Sequence, residues 1–402
     1  MRITDFEIFV VGNPPPGFGG RYFIFTKLVT DSGLIGYGEI YAATFGPDTV
    51  KAMAEDMAER YFLGCDPFDT ERLFRRVYGS GYSARPDISL LGVYSGLEMA
   101  LWDIKGKALD KPVYELLGGR VHETLRTYTY IYPDSGNVYP DTPDPDHVYA
   151  NPHRAAERAV EYLEQGFTAL KFDPAGPFTV FDPGMPTQEE LQRSQAFMRE
   201  LRNAVGHKAD LLFGTHGQFT PAGALRLAEM ISPYDPLWLE EPVPPDNVPG
   251  MAAVARGTRI PIATGERLTT KYEFAELLRA GAAAILQLNC GRVGGLLEAK
   301  KIAAMAEAFH AQIAPHLYCG PLVAAANIQI ATCSPNFLIL ECIEDGGGFH
   351  SDLINAGLKW DQGYAIPPRA PGLGVNLNES LARQHPYKEQ PLHLEMTPSV
   401  ER

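Results

Sequence analysis

The chain has 402 residues, 45% of them hydrophobic and 21% charged, and carries a formal net charge of −14. That length suits two domains, one of them large, with enough apolar residues for a sizeable core. The acidic balance argues against nucleic acid and anionic lipid as partners, and an acidic small molecule would need a local positive centre such as a metal ion. Five cysteines, Cys65, Cys290, Cys319, Cys333 and Cys342, are odd in number and lack close paired spacing. Neither a disulfide framework nor a zinc knot is expected, and a reducing, cytoplasmic setting fits. Met1 to Val11 alternates like a strand rather than reading as a signal peptide, and no run of about 18 apolar residues is long enough to span a membrane.

Taken in chain order, the first part reads as strands followed by helices. Tyr22 to Thr30 is a β-branched and aromatic run, Asp31-Ser32-Gly33 supplies a turn, and Leu34 to Ile40 resumes a strand. Pro14 to Gly20 reads as a mobile loop. Thr49 to Tyr61 and Ile88 to Ala108 have helical spacing. This predicts an α+β domain over residues 1–122.

From about Leu125 the pattern changes. Short apolar runs occur at Leu125–Ile131, Ala169–Phe172, Leu211–Phe213, Leu237–Leu239, Ile262–Thr264, Ala284–Leu288, Gln312–Ala314 and Phe337–Leu340. Helical patterns separate them, at His153–Glu164, Glu189–Val205, Ala222–Ile231, Val248–Ala255, Lys271–Arg279, Leu296–Phe309 and Leu322–Thr332. Thr187 with Glu190 forms a capping-box pattern, and Pro221 suits a first helical position. Eight runs joined by helices predict an α/β fold, a parallel (β/α)8 barrel, over residues 123–345. An open doubly wound sheet is the alternative, weakened because no Gly-x-Gly-x-x-Gly follows any strand. The Gly- and Pro-rich residues 346–402 are expected to return to the first domain. The proline-rich stretch from Pro133 to Pro152 is too long for a simple βα loop and reads as a lid or a disordered insertion.

Polar residues at the C-terminal ends of barrel strands mark an active site. Those ends carry Lys171 and Asp173, then Thr215-His216, Glu240-Glu241, Glu266-Arg267, Asn289, His316 and Glu341. Glu240 and Glu266 are about one βα unit apart, which puts them on neighbouring strand ends. Oxygen ligands that close suit Mg²⁺. Two glutamates stabilised by helix N-termini would look similar taken singly.

Trp102-Asp103-Ile104-Lys105-Gly106-Lys107 and Leu116-Leu117-Gly118-Gly119 resemble the segment leading into the barrel in the mandelate racemase branch of the enolase superfamily. Trp238-Leu239-Glu240-Glu241-Pro242 resembles that branch's second metal-ligand strand, and Ala263-Thr264-Gly265-Glu266-Arg267-Leu268 the third. Gly294-Gly295 and Pro371-Gly372-Leu373-Gly374 also match, so the resemblance spans nearly the whole chain. Within the branch, Leu170 to Phe178, His216-Gly217-Gln218-Phe219 and Gly265 to Leu268 are similar to gluconate and galactonate dehydratases. The resemblance implies one Mg²⁺ per chain, or another divalent metal, on Glu240 and Glu266. It implies a lyase acting on a small acid sugar, with proton abstraction beside the carboxylate and expulsion of the β-hydroxyl to give a 2-keto-3-deoxy acid. His316 would be the base, His216 the acid, Lys171 the charge partner of the substrate carboxylate and Glu341 its hydrogen-bonding partner. A homo-oligomer is implied as well.

Three positions depart from the family pattern. Gly214 stands where the first metal carboxylate is expected, two residues before His216. His216, Thr215 or Asp210 could compensate, and histidine would tilt the site towards a transition metal. Asn289 stands where an aspartate orients the strand-seven histidine, which should make His316 a weaker base. Asp173 replaces a second lysine after strand two. An epimerase or cycloisomerase with an altered metal site, or a barrel that binds acid sugars without turning them over, are the alternatives these departures leave open.

Overall fold

The computed structural model describes residues 1–41, 44–133, 144–174, 183–355, 357–389 and 391–394. Most of the Pro133–Pro152 insertion (134–143), and residues 175–178 of the Leu170–Phe178 motif, lie outside the described residues. Among the described residues no helix is long and apolar enough to cross a membrane.

The first layer is an antiparallel meander of β1 (Ile3–Gly12), β2 (Tyr22–Thr30) and β3 (Ile35–Ile40). Gly33 makes the β2–β3 turn at φ +80°, a conformation L side chains rarely adopt. The expected helix over 49–61 is an α-helix, Pro47–Met57, that continues as a π-helical turn, Ala58–Phe62. A helix the sequence reading did not anticipate, Thr70–Tyr78, buries Leu73, Phe74 and Val77. The long helix Ile88–Leu109 lies on β3 at unusually short range. A Cβ on Gly36 would meet the Ala100 carbonyl at 2.1 Å, and one on Gly38 the Gly96 carbonyl at 2.0 Å.

Eight parallel strands follow. They are β4 (Leu125–Tyr130), β5 (Ala169–Phe172), β6 (Asp210–Gly214), β7 (Trp238–Glu240), β8 (Ile262–Thr264), β9 (Ile285–Leu286), β10 (Gln312–Ile313) and β11 (Leu340–Cys342). Each pairs in parallel with the next from β4 to β10. β11 closes the ring on β4, with Glu341 opposite Tyr128, and the isolated bridge Ile313–Phe337, just before β11, lays that segment beside β10. The ring is therefore a barrel, not an open sheet. The eighth strand lies further along than the expected Phe337–Leu340 run, because Phe337 makes only that single bridge. All seven intervening helices are present within two residues of their expected bounds. The Thr187/Glu190 capping box forms, and Pro221 opens its helix.

The tail has more structure than its composition suggests. A hairpin, Lys359–Asp361 with Tyr364–Ile366, pairs antiparallel with the start of β4. Further on, the Gly12 amide donates to the His385 carbonyl at 2.7 Å and the Tyr387 amide to that of Val10 at 3.1 Å, which ties the tail to β1.

The two parts of the chain are joined by buried carboxylates. Glu39, on β3, accepts backbone N–H bonds from Gly320 (2.5 Å), Leu322 (3.1 Å) and Val323 (3.0 Å), all at the start of the barrel helix Pro321–Thr332. Glu98, on the long helix, accepts from Leu296 (2.8 Å) and Leu297 (3.3 Å) at the start of the helix Gly295–Ala308. Helix N-termini present unpaired N–H groups and a partial positive charge, so anionic side chains suit them. Gly38→Ala would force β3 and the long helix apart against backbone atoms and is expected to lower stability by roughly 1–3 kcal/mol, read as a fall in the urea midpoint at unchanged slope.

Candidate active site

The strand-end residues converge in the barrel mouth around one lysine. Lys171 closes β5 with its side chain 2% exposed; its Nζ lies 2.5 Å from Glu240 Oε1 and 3.5 Å from Glu341 Oε1. Burial opposes its charge, but Glu240, Glu341 and Glu266 outweigh burial and hold the ammonium well above its ordinary range. Glu240 Oε2 accepts from Gln287 Nε2 (2.7 Å) and Trp238 Nε1 (3.1 Å). Glu341 Oε2 accepts from the Leu317 amide at 2.9 Å. One ammonium cannot balance three buried carboxylates. Burial accordingly pushes Glu240 up to about 7 in spite of Lys171. Glu266 goes the other way: burial would raise it, but His316, His216 and Lys171 pull it below the usual carboxylate range.

His216 follows the third barrel strand, in the left-handed region at φ +50°, with Glu241 at φ +41° after the fourth. Such strain persists only where the surroundings over-determine it. Here Thr215 Oγ1 donates to the carbonyls of Glu240 (2.8 Å) and Glu241 (2.7 Å), and the Gly217 amide donates to Glu241 at 2.6 Å. Arg267 Nε donates to Glu241 Oε2 at 2.9 Å, and its Nη2 to the His216 carbonyl at 3.0 Å. His216 Nδ1 lies 2.5 Å from Asp173 Oδ2, which also accepts from the Tyr130 hydroxyl at 3.0 Å. Burial opposes a charge on His216, but Asp173 overrides it and raises the imidazole to about 9.

His316 follows the seventh strand, opposite His216 in an eight-membered ring. Its Nε2 lies 3.6 Å from Glu266 Oε2 and 3.9 Å from Glu341 Oε2. Burial lowers its pKa, Glu266 and Glu341 notwithstanding. Asn289 fixes its other face. The Gly291 amide donates to Asn289 Oδ1 at 2.8 Å, so Nδ2 is the atom turned to His316 Nδ1, at 3.1 Å. An amide nitrogen can only donate, so the neutral ring carries its hydrogen on Nε2. An aspartate there would accept, and would leave that hydrogen on Nδ1.

The compensating ligands considered from sequence are engaged elsewhere. Asp210 pairs with Arg126 at 2.8 Å at the opposite end of β6, Thr215 holds the β7 end, and His216 directs Nδ1 to Asp173 rather than to Glu240 or Glu266. Several residues of the site went unrecognised in the sequence. Gln287 and Tyr130 secure Glu240 and Asp173. Arg292 donates to the Glu266 carbonyl at 2.9 Å and lies 3.9 Å over the ring of Tyr41, and Tyr41, from the first domain, stacks on His316 at 5.9 Å between centroids. Gln287 and Arg292 flank Asn289 by two and three residues, a signal that could have found them. Tyr41 is distant in sequence and carried none.

Among the described residues Asp173 Oδ1 and Glu266 Oε2 are buried without a hydrogen-bond partner, and both belong to a pocket with more carboxylates than cations. Hard anionic oxygens of this kind fit Mg²⁺. Among the described residues no three acidic, imidazole or thiol side chains converge on one point as they stand; the Lys171 ammonium lies between Glu240 and Glu341.

Two family profiles cover most of the chain. Residues 18–118 match the mandelate racemase / muconate lactonizing enzyme N-terminal domain, and residues 154–381 match the enolase C-terminal domain-like family. A solved structure from Labrenzia alexandrii DFL-11, provisionally assigned as a mandelate racemase/muconate lactonizing enzyme, is 60% identical over 99% of each chain with a TM-score of 0.95. Among curated relatives, a D-xylonate dehydratase from Haloferax volcanii is 33% identical over 96% of this chain and 89% of its own. A D-gluconate/D-galactonate dehydratase from Picrophilus torridus is 31% identical over 96% and 94%. The chain belongs to the mandelate racemase/muconate lactonizing enzyme family of the enolase superfamily, with that family's capping domain and (β/α)8 barrel. It is an enzyme, and its class is that of the lyases.

Arg267→Met is expected to leave Glu241 buried without a counter-charge and to release the His216 turn, lowering stability by roughly 3–5 kcal/mol in equilibrium urea unfolding.

Proposed function

We propose that this chain dehydrates a sugar acid, converting an aldonate into its 2-keto-3-deoxy acid. The observation that carries the reading is the placing of two imidazoles, His216 and His316, on opposite strand ends with the buried Lys171–Glu240–Glu266–Glu341 cluster between them. The dehydratase relatives act on D-xylonate and on D-gluconate and D-galactonate, which supports the substrate class.

In this reading Glu240 and Glu266 would hold the divalent cation. When bound, the cation withdraws charge from the substrate carboxylate and so acidifies the adjacent C–H. Lys171 adds a fixed positive charge in a water-poor pocket, where it acts more strongly than in bulk. His316 takes the proton from C2. His216, kept protonated by Asp173, gives its proton to the C3 hydroxyl as the C3–O bond breaks, so that water leaves and the enol left behind rearranges to the 2-keto acid. Histidine suits both transfers because its ordinary pKa is near neutrality. Glu341, anchored by the Leu317 amide, is placed to hydrogen-bond the substrate carboxylate.

His316 works under a handicap. The hydrogen that Asn289 leaves on Nε2 must move to Nδ1 before Nε2 can accept a proton. Asn289→Asp is expected to favour the reactive tautomer and raise kcat at least about tenfold, with little change in KM; an unchanged kcat would show that His316 is not the base. The activity itself is tested by incubating the protein with Mg²⁺ and a panel of C5 and C6 aldonates and following the keto acid as its semicarbazone. Turnover of at least one aldonate is expected, reduced at least about 100-fold in His216→Asn. No keto acid from any of them would sink the proposal.

A further inference from the structure

We propose that Asp173, at the end of the second barrel strand, supplies the metal carboxylate whose place at the end of the third is taken by Gly214. The register of β5 and β6 pairs Phe172 with Phe213, so Asp173 and Gly214 are the next neighbours in line. A Cβ built on Gly214 would stand 3.1 Å from Asp173 Cγ, Oδ1 and Oδ2 alike. The carboxylate therefore fills the space beside the glycine into which a side chain at 214 would project. Gly214 is not in a left-handed conformation, so no backbone constraint demands glycine there; the feature it permits is this close approach of Asp173.

The two oxygens of Asp173 have different surroundings. Oδ2 is held by the Tyr130 hydroxyl and the His216 ring. Oδ1 is buried in a side chain only 4% exposed and has no hydrogen-bond partner among the described residues. A buried carboxylate oxygen that meets no donor or cation is unfavourable, and a cation beside it relieves that cost. Glu266 Oε2 also accepts no hydrogen bond among the described residues, its nearest cationic neighbour being His316 Nε2 at 3.6 Å. With Glu240, which pairs with Gly214 across β6 and β7, Asp173 and Glu266 restore the three-carboxylate charge count that Gly214 removes, without recruiting a soft imidazole ligand. His216 stays available for proton transfer, since Asp173 would offer Oδ1 to the cation and keep Oδ2 on the imidazole.

The inference rests on the divalent site of the dehydratase reading, and its test separates the two. Mn²⁺ binding to the full chain, stripped with chelator, is measured by EPR and by calorimetry for the wild type, Asp173→Asn, Glu266→Gln and the exchange variant Asp173→Ala/Gly214→Asp, each confirmed folded by thermal unfolding without metal. One Mn²⁺ per wild-type chain is expected, weakened at least about tenfold in Asp173→Asn. Most of that loss should be recovered in the exchange variant, which puts a carboxylate back from the neighbouring strand; a purely orienting role through His216 would leave Mn²⁺ affinity unmoved. Wild-type affinity in Asp173→Asn together with loss in Glu266→Gln would overturn the assignment of Asp173 and leave the metal-dependent reading standing. No binding by the wild type would overturn both, and Lys171 would then be the cation of the site. Should Asp173→Asn fail to fold, failure of the folded exchange variant to bind would still overturn the proposal.

Discussion

The site is organised by the difficulty of burying like charges together. Asp173, Glu240, Glu266 and Glu341 are all drawn into the barrel mouth, where water cannot screen them, and Lys171 and His216 are the cations placed among them. Each neighbouring choice follows from that imbalance. Gln287 and Trp238 direct donors at Glu240, a backbone amide meets Glu341, and the imidazoles flank Glu266. Desolvation makes every one of these contacts stronger than it would be at the surface, and makes a missing one more damaging. The pocket is thus pre-set for additional positive charge, whether it arrives as a cation or as a developing proton transfer.

Much of the architecture could be read from periodicity. Seven helices and seven of the eight strand positions followed from apolar runs, because a buried parallel strand has no polar face and most of the barrel helices bury one apolar stripe. The errors were local. The helix Thr70–Tyr78 was missed although Leu73, Phe74 and Val77 have helical spacing; its arginine pair masked the stripe. The eighth strand slipped because Phe337 looks like a strand residue yet forms one bridge, and the polar Glu341 that belongs to the strand looked like its end. The tail hairpin at 359–366 had too few residues for alternation to register.

The site was less legible, for a different reason. Which strand ends carry polar residues is visible in one dimension, so Lys171, His216, Glu240, Glu266, His316 and Glu341 could be named. What each faces depends on register between strands and on the direction of a side-chain amide. The adjacency of Asp173 to Gly214 appears only when Phe172 is paired with Phe213. The orientation of Asn289 is set by a backbone N–H two residues on. Tyr41 reaches His316 from another domain altogether. Composition and spacing contain none of these.

The anchoring of Glu39 has a consequence for what shapes the pocket. This carboxylate sits in the seam between cap and barrel and accepts from three main-chain amides, and burial already drives it up to about 7. Prising the cap away would cost Glu39 its three amide bonds and bare the first turn of the Pro321–Thr332 helix. Tyr41, two residues further along and stacked on His316, travels with it. The inner rim of the cap is thus pinned to the barrel at Glu39 and stacked on the catalytic histidine at Tyr41, so a change at that rim acts on the pocket as directly as a change in the barrel itself.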